Sequence, residues 1–360
     1  MKFFGTLFVI LISLFFCLNT FSQTSYYNEI KSYSDSLYNS FDKLQQRISR
    51  LSFSDTARSQ WNNLPVGLKE RKGLSIGKMK VEQRILVHRI LSASLSSQGY
   101  LKATSIMHLD NLLNIFVDSM YERKEFTDTL YRFLRDLKWS NQNYYFAFFG
   151  DPRTDLNWGF KLEGHHLSLN FTFTNKQISN TPMFVGTDPA EYPILEYAGW
   201  RVLLKEEDYG LHFIKNLTPS QRMKAISKVE VPKDIITGAE SGKRLIDYWG
   251  IKGSELSKSQ KEILKKIIRE FVFNLENDKA KKEYEKILKA GIENIYFGWV
   301  GEIAEKKPHY YVINGPTFII EFDNNSGPRE VANHIHAIWR EKGNEYGEDL
   351  LKQHYLKEKH

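Results

Sequence analysis

Cysteine is almost missing from this 360-residue sequence, in which Cys17 is the only one. Because Cys17 lies in an apolar leader, the chain that follows the leader has none. This excludes disulfide scaffolds, thiolate catalysis, zinc fingers and iron–sulfur clusters. Any metal ion would therefore have to be bound by His, Asp or Glu.

Long apolar runs are scarce as well. Leu7–Leu18 is broken only by Ser13, and it is too short for a transmembrane helix, which needs about 20 residues. It fits the apolar part of a signal peptide. Thr20 and Ser22 lie at the spacing that signal peptidase prefers, so residues 1–22 are predicted to be a signal peptide and the mature chain to begin near Gln23.

The predicted leader implies export to the periplasm or the medium, with no integral membrane span in the mature chain. A lipoprotein anchored through Cys17 is not expected. Phe15 and Phe16 stand before that cysteine, where lipidation signals carry small residues.

Several signatures of cofactor and nucleic-acid binding are also missing. The sequence has no Walker A loop, no G-x-G-x-x-G, no G-x-S-x-G and no H-E-x-x-H, so no nucleotide or haem cofactor is expected. The formal net charge is +7, but the excess is concentrated in 258–289, where Lys alternates with Glu as on a solvated helix face. Nucleic acid is therefore not expected as a partner, and a small-molecule or polymer substrate stays open.

Apolar periodicity predicts helices in the N-terminal third. Leu37, Phe41, Leu44, Ile48 and Leu51 form an amphipathic stripe. Two further helices, 79–97 and 101–117, are predicted to join at Gly99, and another covers 127–138. His88 and His108 are isolated within these stripes and are assigned to structure.

From residue 143 the apolar period changes to two. This predicts strands over 144–150 and within 157–185, with a hairpin turn at Asn175–Lys176. Capping boxes that begin at Thr218 and Ser257 open a helical block. Strands return over 295–301, 310–313, 318–322 and 333–340, and a helix over 348–356 closes the chain. We predict an α+β fold with a single large domain over 23–360. In it an N-terminal helical part packs on a mostly antiparallel sheet, with a further helical insertion.

Two histidine clusters stand out, His165-His166 and His334-Ile-His336. Residues i and i+2 of a strand share a face about 6.6 Å apart, so two imidazoles placed in this way can bind one ion. His166 alternates with Ser168 and Asn170 on a polar face and is the candidate third ligand. Zinc or another divalent metal bound by His166, His334 and His336 is one hypothesis. Histidines that hydrogen-bond in a polar core, or that perform metal-free acid–base chemistry, are the alternatives.

Glu163 and His165 are the candidate catalytic residues. If the strand continues through Gly164, they share a face and could act as proton shuttle and partner. Strand alternation turns His165 towards the apolar face and His166 towards the polar one. We therefore expect His165→Ala mainly to lower stability and His166→Ala mainly to remove function, unless a bulge at Gly164 exchanges the faces.

Four residues near these motifs are candidates for substrate binding: Trp158, Asn170, Trp339 and Arg340. The two tryptophans could line an aromatic cleft. Glu321 alternates with apolar residues and is expected on a solvated strand face.

The segments YYFAFFGDP, WGFKLEGHHLSLNFT and NHIHAIWREKGNEYGEDLLKQHY resemble the signatures of the family called domain of unknown function 3500 (DUF3500). Two helical segments, VEQRILVHRILSASLSSQGYLKA and EEDYGLHFIKNLTPSQRMKAI, are similar to its helical blocks. The chain departs from the residues that are usual in this family at Lys161, Leu162 and Trp339, but not at the four clustered histidines. The resemblance covers nearly the whole mature chain and implies one integral domain with no particular activity.

Three functions remain open from the sequence. The first is an exported, metal-dependent enzyme of the hydrolytic type. The second is a metal-free enzyme that uses His and Glu, and the third is a non-catalytic module with an aromatic cleft.

Overall fold

The computed structural model describes residues 26–239, 241–325 and 331–357. The predicted signal peptide, with Cys17, lies outside the described residues. Within the described ranges, no helix combines the length and apolarity that crossing a membrane would require.

The helices form two groups, as predicted: one lies before residue 143 in the sequence, and the other is inserted between the early and the late strands of the sheet. The first group is α1 (26–40), α2 (Lys43–Ser49), α3 (Val81–Ser94), α4 (Ser97–Glu122) and α5 (Asp128–Asp136). The second is α6 (Leu204–Lys215), α7 (Pro219–Ala225), α8 (Lys258–Val272) and α9 (Asn277–Lys289), and α10 (Glu348–Lys357) closes the described chain. The predicted capping boxes at Thr218 and Ser257 open α7 and α8.

Two details of the predicted helices are wrong. The stripe from Leu37 to Leu51 is divided, because Asp42 leaves the helix and its carboxylate caps α2 at the Gln45 N–H. Leu44 is consequently 54% exposed. Gly99 does not join two helices but lies in the first turn of α4, where a Cβ would meet the Asn274 carbonyl oxygen at 2.0 Å.

One mixed sheet of 13 strands organises the described residues. The strands before α6 are β1 (Arg50–Leu51), β2 (Leu74–Ser75), β3 (Tyr145–Phe149), β4 (Asn157–Gly164), β5 (Leu167–Thr174), β6 (Gln177–Ser179) and β7 (Met183–Thr187). Those after α7 are β8 (Ile226–Ser227), β9 (Ile251–Lys252), β10 (Tyr296–Gly301), β11 (His309–Asn314), β12 (Phe318–Asn325) and β13 (His334–Glu341). The strands β3–β7 and β10–β13 lie within or close to the predicted strand regions, whereas β1, β2, β8 and β9 were not predicted.

The strand order is β1-β3-β4-β5-β7-β13-β12-β11-β10-β8. All pairs on this path are antiparallel except β1 with β3 and β8 with β10. Among the described residues, the early and late strands pair with each other only along the β7–β13 ladder, in which Met183 lies opposite Trp339 and Thr187 opposite Ile335. The mostly antiparallel α+β fold predicted from the sequence is confirmed.

The two faces of the sheet are covered by different kinds of structure. One face, here called the helical face, presents apolar side chains such as Trp158, Phe160 and Ile320 to a core shared with α1, α3, α4, α6 and α8. The other, here called the loop face, is covered by irregular chain. Trp61 packs there against Phe184, and residues 228–239 and 241–250 cover a smaller apolar cluster.

Candidate metal centre

His334 and His336 lie at the start of β13 and point to the loop face. Their neighbours Ile335 and Ala337 belong to the core of the helical face, so alternation along the strand places both imidazoles on the same side, as predicted. The His334 side chain is 32% exposed, which opens the pair to solvent.

His166 reaches them from a tight turn and not from a strand. Gly164 pairs with Leu167, so His165 and His166 are the two residues of a hairpin turn, and the predicted continuous strand through this point is wrong. His166 has φ 59°, a left-handed conformation that residues other than Gly seldom adopt. Two backbone hydrogen bonds hold it: its N–H donates to Asn63 O at 3.2 Å, and its carbonyl accepts from Gly186 N–H at 2.7 Å.

Gly186 makes room for the approach of the two histidine clusters. It lies in β7 directly opposite His336. A Cβ there would be 3.0 Å from His336 Cδ2 and 3.1 Å from His166 Cδ2. A side chain at this position would therefore collide with the Ile335 carbonyl oxygen at 2.8 Å and crowd both imidazoles, which explains the glycine.

The three imidazoles converge through their Nε2 atoms. His166 Nε2 lies 2.8 Å from His334 Nε2, and His334 Nε2 lies 3.0 Å from His336 Nε2. The three residues offer ligand atoms that all lie within 4.8 Å of one another. Metal–nitrogen bonds of about 2.0–2.1 Å put ligand nitrogens about 3.3 Å apart in a tetrahedral site. Two of the nitrogen–nitrogen distances are a few tenths of an ångström shorter than this value and all three lie within 4.8 Å, so the three imidazoles could hold one metal ion after a local adjustment.

Carboxylates lie behind the imidazoles. His336 Nδ1 donates to Asp234 Oδ1 at 2.7 Å, which in a neutral ring leaves the Nε2 lone pair for a metal ion. Asp188 Oδ2 lies 3.9 Å from His334 Nδ1. Asp323 stands opposite His336 in the β12–β13 ladder and forms a second acidic group with it and Asp234.

Burial and charge shift the pKa values of this group. Burial raises the pKa of Asp323 to about 8, even though the charge of His336 acts in the opposite sense. Burial also acts to raise the pKa of Asp234, but the hydrogen bond and charge of His336 outweigh it and hold that pKa below its usual value. The negative charge next to His336 is therefore carried by Asp234.

A family model described as "Protein of unknown function (DUF3500)" matches residues 23–348, which include both histidine clusters. The chain belongs to the DUF3500 family. No curated protein and no solved structure matches it.

In this DUF3500 chain, the ring of His165 forms its hydrogen bond with helix α4. Its Nδ1 donates to Asp110 Oδ1 of α4 at 2.7 Å, and the Tyr144 hydroxyl lies 2.9 Å from Asp110 Oδ2 and 2.7 Å from the His165 carbonyl oxygen. Burial raises the pKa of Asp110, opposed by His165. The two adjacent histidines thus have different hydrogen-bond partners, but they do not lie on opposite faces of a strand as predicted, because both belong to the turn and their ring centroids are 3.7 Å apart.

Glu163 does not lie beside His165 as a catalytic partner. The strand ends at Gly164, and Glu163 faces the loop side, where Oε1 lies 2.7 Å from Arg71 Nε and Oε2 lies 3.3 Å from Lys161 Nζ. The expected pairing of Glu163 with His165 is wrong, and its place is taken by Asp110.

The four residues suggested for substrate binding are buried: Trp158, Asn170, Trp339 and Arg340. Strand alternation turns both tryptophans into the core of the helical face, where Trp158 stacks on Phe173 at 4.1 Å. They line no cleft, so the aromatic-cleft hypothesis loses its basis. The Asn170 amide donates to Pro182 O at 2.9 Å, and the Arg340 guanidinium donates to Thr237 O and to Glu345.

Asp110, Asp188, Asp234 and Gly186 were not predicted from the sequence, and the predicted solvated position of Glu321 is wrong. The Glu321 carboxylate is buried and accepts from the N–H groups of Ile236 and Thr237 at 2.6 and 3.0 Å and from the Tyr310 hydroxyl at 2.8 Å. It thereby anchors the segment that carries Asp234. The sequence of 228–250 has no hydrophobic periodicity from which its position over the loop face could have been predicted.

Proposed function

We propose that the protein is a metal-dependent enzyme of the hydrolytic type, with one zinc or similar divalent ion bound by His166, His334 and His336. The convergence of the three Nε2 atoms carries this proposal. It is supported by the Asp234–His336 hydrogen bond, because ligating histidines usually donate their second nitrogen to a carboxylate.

The ligand set favours a catalytic over a structural metal. Structural zinc sites are closed by four protein ligands, whereas catalytic sites keep three and leave one position for water. Three imidazoles suit zinc, copper, iron or nickel. A bound divalent ion of this kind lowers the pKa of its water to about 7, which supplies hydroxide at neutral pH. The partly exposed His334 leaves access for such water.

His165 is the remaining candidate for proton transfer, since Glu163 is held by two cations. Its ring centroid lies 3.7 Å from that of His166, and Asp110 fixes its Nδ1. The same pair of residues favours the second candidate function, a metal-free acid–base enzyme built on Asp110 and His165. Metal content separates the two.

Export is part of the proposal. The apolar segment Leu7–Leu18 and the small residues after it support a signal peptide over 1–22, so the enzyme would act outside the cytoplasm. The amino-terminal residue of protein purified from the periplasm or the medium tests this, with Gln23 as the expected start.

The deciding experiment is elemental analysis of protein purified without a histidine tag. We expect about one equivalent of metal in the wild type and in His212→Ala, which removes an exposed imidazole of α6. We expect almost none in His334→Ala. Hydrolysis of a panel of simple esters and amides should be lost with a chelator and in His334→Ala. Wild-type protein that binds no zinc in titration would overturn the proposal.

A further inference from the structure

Residues 56–72, here called the strap, cross the loop face beside the metal centre. The Asn63 carbonyl of the strap accepts the His166 N–H, so the position of the strap bears directly on one metal ligand. The strap has little regular structure beyond a short 3₁₀ turn at Thr56–Arg58. Side-chain contacts, and not a helix or a strand ladder, must therefore fix the position of the strap.

Arg71 clamps the strap on both sides of Asn63. Its side chain is only 2% exposed. Its Nη2 donates to Asn62 O at 3.0 Å and to Leu64 O at 2.6 Å. Because these carbonyls belong to the residues before and after Asn63, the guanidinium fixes the peptide groups around the carbonyl that meets His166.

Glu163 connects this clamp to the sheet. It lies in β4, three residues before His166, and its carboxylate faces Arg71 Nε at 2.7 Å and Lys161 Nζ at 3.3 Å. Lys161 in turn donates to the carbonyls of Ala57 and Gln60. One buried carboxylate thus contacts two buried cations, and these cations donate to five carbonyls of the strap, including that of Lys69.

We propose that Arg71 and Glu163 are positioning residues for the metal ligand His166, a role that rests on the proposed metal centre. His166 has a positive φ, which its own covalent structure disfavours, so its backbone depends on the Asn63 and Gly186 contacts. Without the clamp, the Asn63 carbonyl moves, the turn relaxes and the His166 ring leaves the other two.

Two variants test the role and one serves as a matched control. Arg71→Lys keeps the charge but cannot span two carbonyls, and Glu163→Gln keeps the shape but removes the shared charge. The control, Lys102→Met, breaks another buried ion cluster. There Lys102 Nζ lies 2.7 Å from both Glu206 and Glu270, between helices of the opposite face.

Two readouts are needed: zinc affinity by competition with a chelator, and hydrogen exchange of the His166 amide. We expect both variants to lower zinc affinity about 10- to 100-fold, as loss of an outer partner does, and to speed exchange of the His166 amide. Lys102→Met should lower the melting temperature and leave both readouts unchanged.

Failure of the two proposals can be told apart. If the wild type binds zinc and the Arg71→Lys and Glu163→Gln variants bind it within twofold of wild type, the positioning role is wrong and the metal centre stands. If the wild type binds no zinc, the metal function is wrong. Exchange at His166 then still decides whether the clamp holds the turn, because unchanged exchange in both variants overturns it.

Discussion

The two faces of the sheet bury very different side chains because their covers differ. Helices satisfy their own backbone groups, so on the helical face the sheet presents apolar rings such as Trp158 and Phe160. Irregular chain leaves N–H and C=O groups that need partners. On the loop face, Lys161, Glu321 and Arg340 supply these partners although they are buried.

The comparison also explains where the candidate metal centre lies. A surface that already carries polar side chains can present imidazoles and carboxylates at little further cost, whereas the helical face would have to bury them among rings. His165 shows that cost, since its buried imidazole requires the Asp110 carboxylate as a partner, and that carboxylate in turn requires the Tyr144 hydroxyl.

Removing a ring from the helical face should have the largest effect on stability. Trp158→Ala deletes a fully buried indole stacked on Phe173, and we expect the free energy of unfolding to fall by about 3–5 kcal/mol. Denaturant unfolding measures this. Zinc affinity of the folded variant should equal that of the wild type, and a change of tenfold or more would contradict the separation of the two faces.

Removing a carboxylate from the loop face should come next. Glu321→Ala leaves two N–H groups and a tyrosine hydroxyl without their acceptor, and we expect a loss of about 2–4 kcal/mol in the free energy of unfolding. Glu321→Gln keeps one acceptor oxygen and should lose less. Equal stability of the alanine variant and the wild type would show that the cover is not anchored there.

His165 and His166 allow stability and metal binding to be compared within one turn, because their rings have different partners. His165→Ala removes the partner of the buried Asp110 carboxylate, and we expect a loss of about 1–3 kcal/mol with zinc still bound. His166→Ala should cost less stability and abolish zinc binding. Thermal melts and zinc titrations of both variants check this, and the reverse pattern would mean that the roles are exchanged.

The smallest effect on stability is expected at the partly exposed Asp234. Asp234→Asn keeps an oxygen that can accept from His336 Nδ1 but removes the charge. The free energy of unfolding should change by less than about 1 kcal/mol, while zinc affinity falls about 10-fold. An affinity equal to that of the wild type would remove Asp234 from the metal centre.

Much of the fold could be predicted from the sequence because hydrophobic periodicity and helix capping depend on residues that are close together in the chain. Alternation over 157–174 predicted β4 and β5, and the turn at Asn175–Lys176, where both residues have positive φ, is confirmed. The turn at His165–His166 was missed because histidine is not a typical turn residue and the alternation runs on through it.

The candidate site was only half visible in the sequence. His166, His334 and His336 could be found because histidines are rare and these are clustered. In the sequence, Asp110 is one polar residue within a predicted helix, and Asp234 lies in a segment without hydrophobic periodicity. Their partners come from residues that are distant in sequence, and neither spacing nor composition reports that kind of contact.

The β7–β13 ladder has a consequence for the order of folding. The early and the late strands can each pair among themselves, but His166 meets His334 across 168 residues of chain. Closing so long a loop is slow, since its entropy is lost before the contact forms. The three imidazoles come together only when the two sets of strands have docked. A metal ion that binds all three would therefore recognise the completed sheet alone, and at 100 times its dissociation constant would stabilise it by about 2.7 kcal/mol. In a chain whose single cysteine is Cys17, that ion would serve as the cross-link between its two halves.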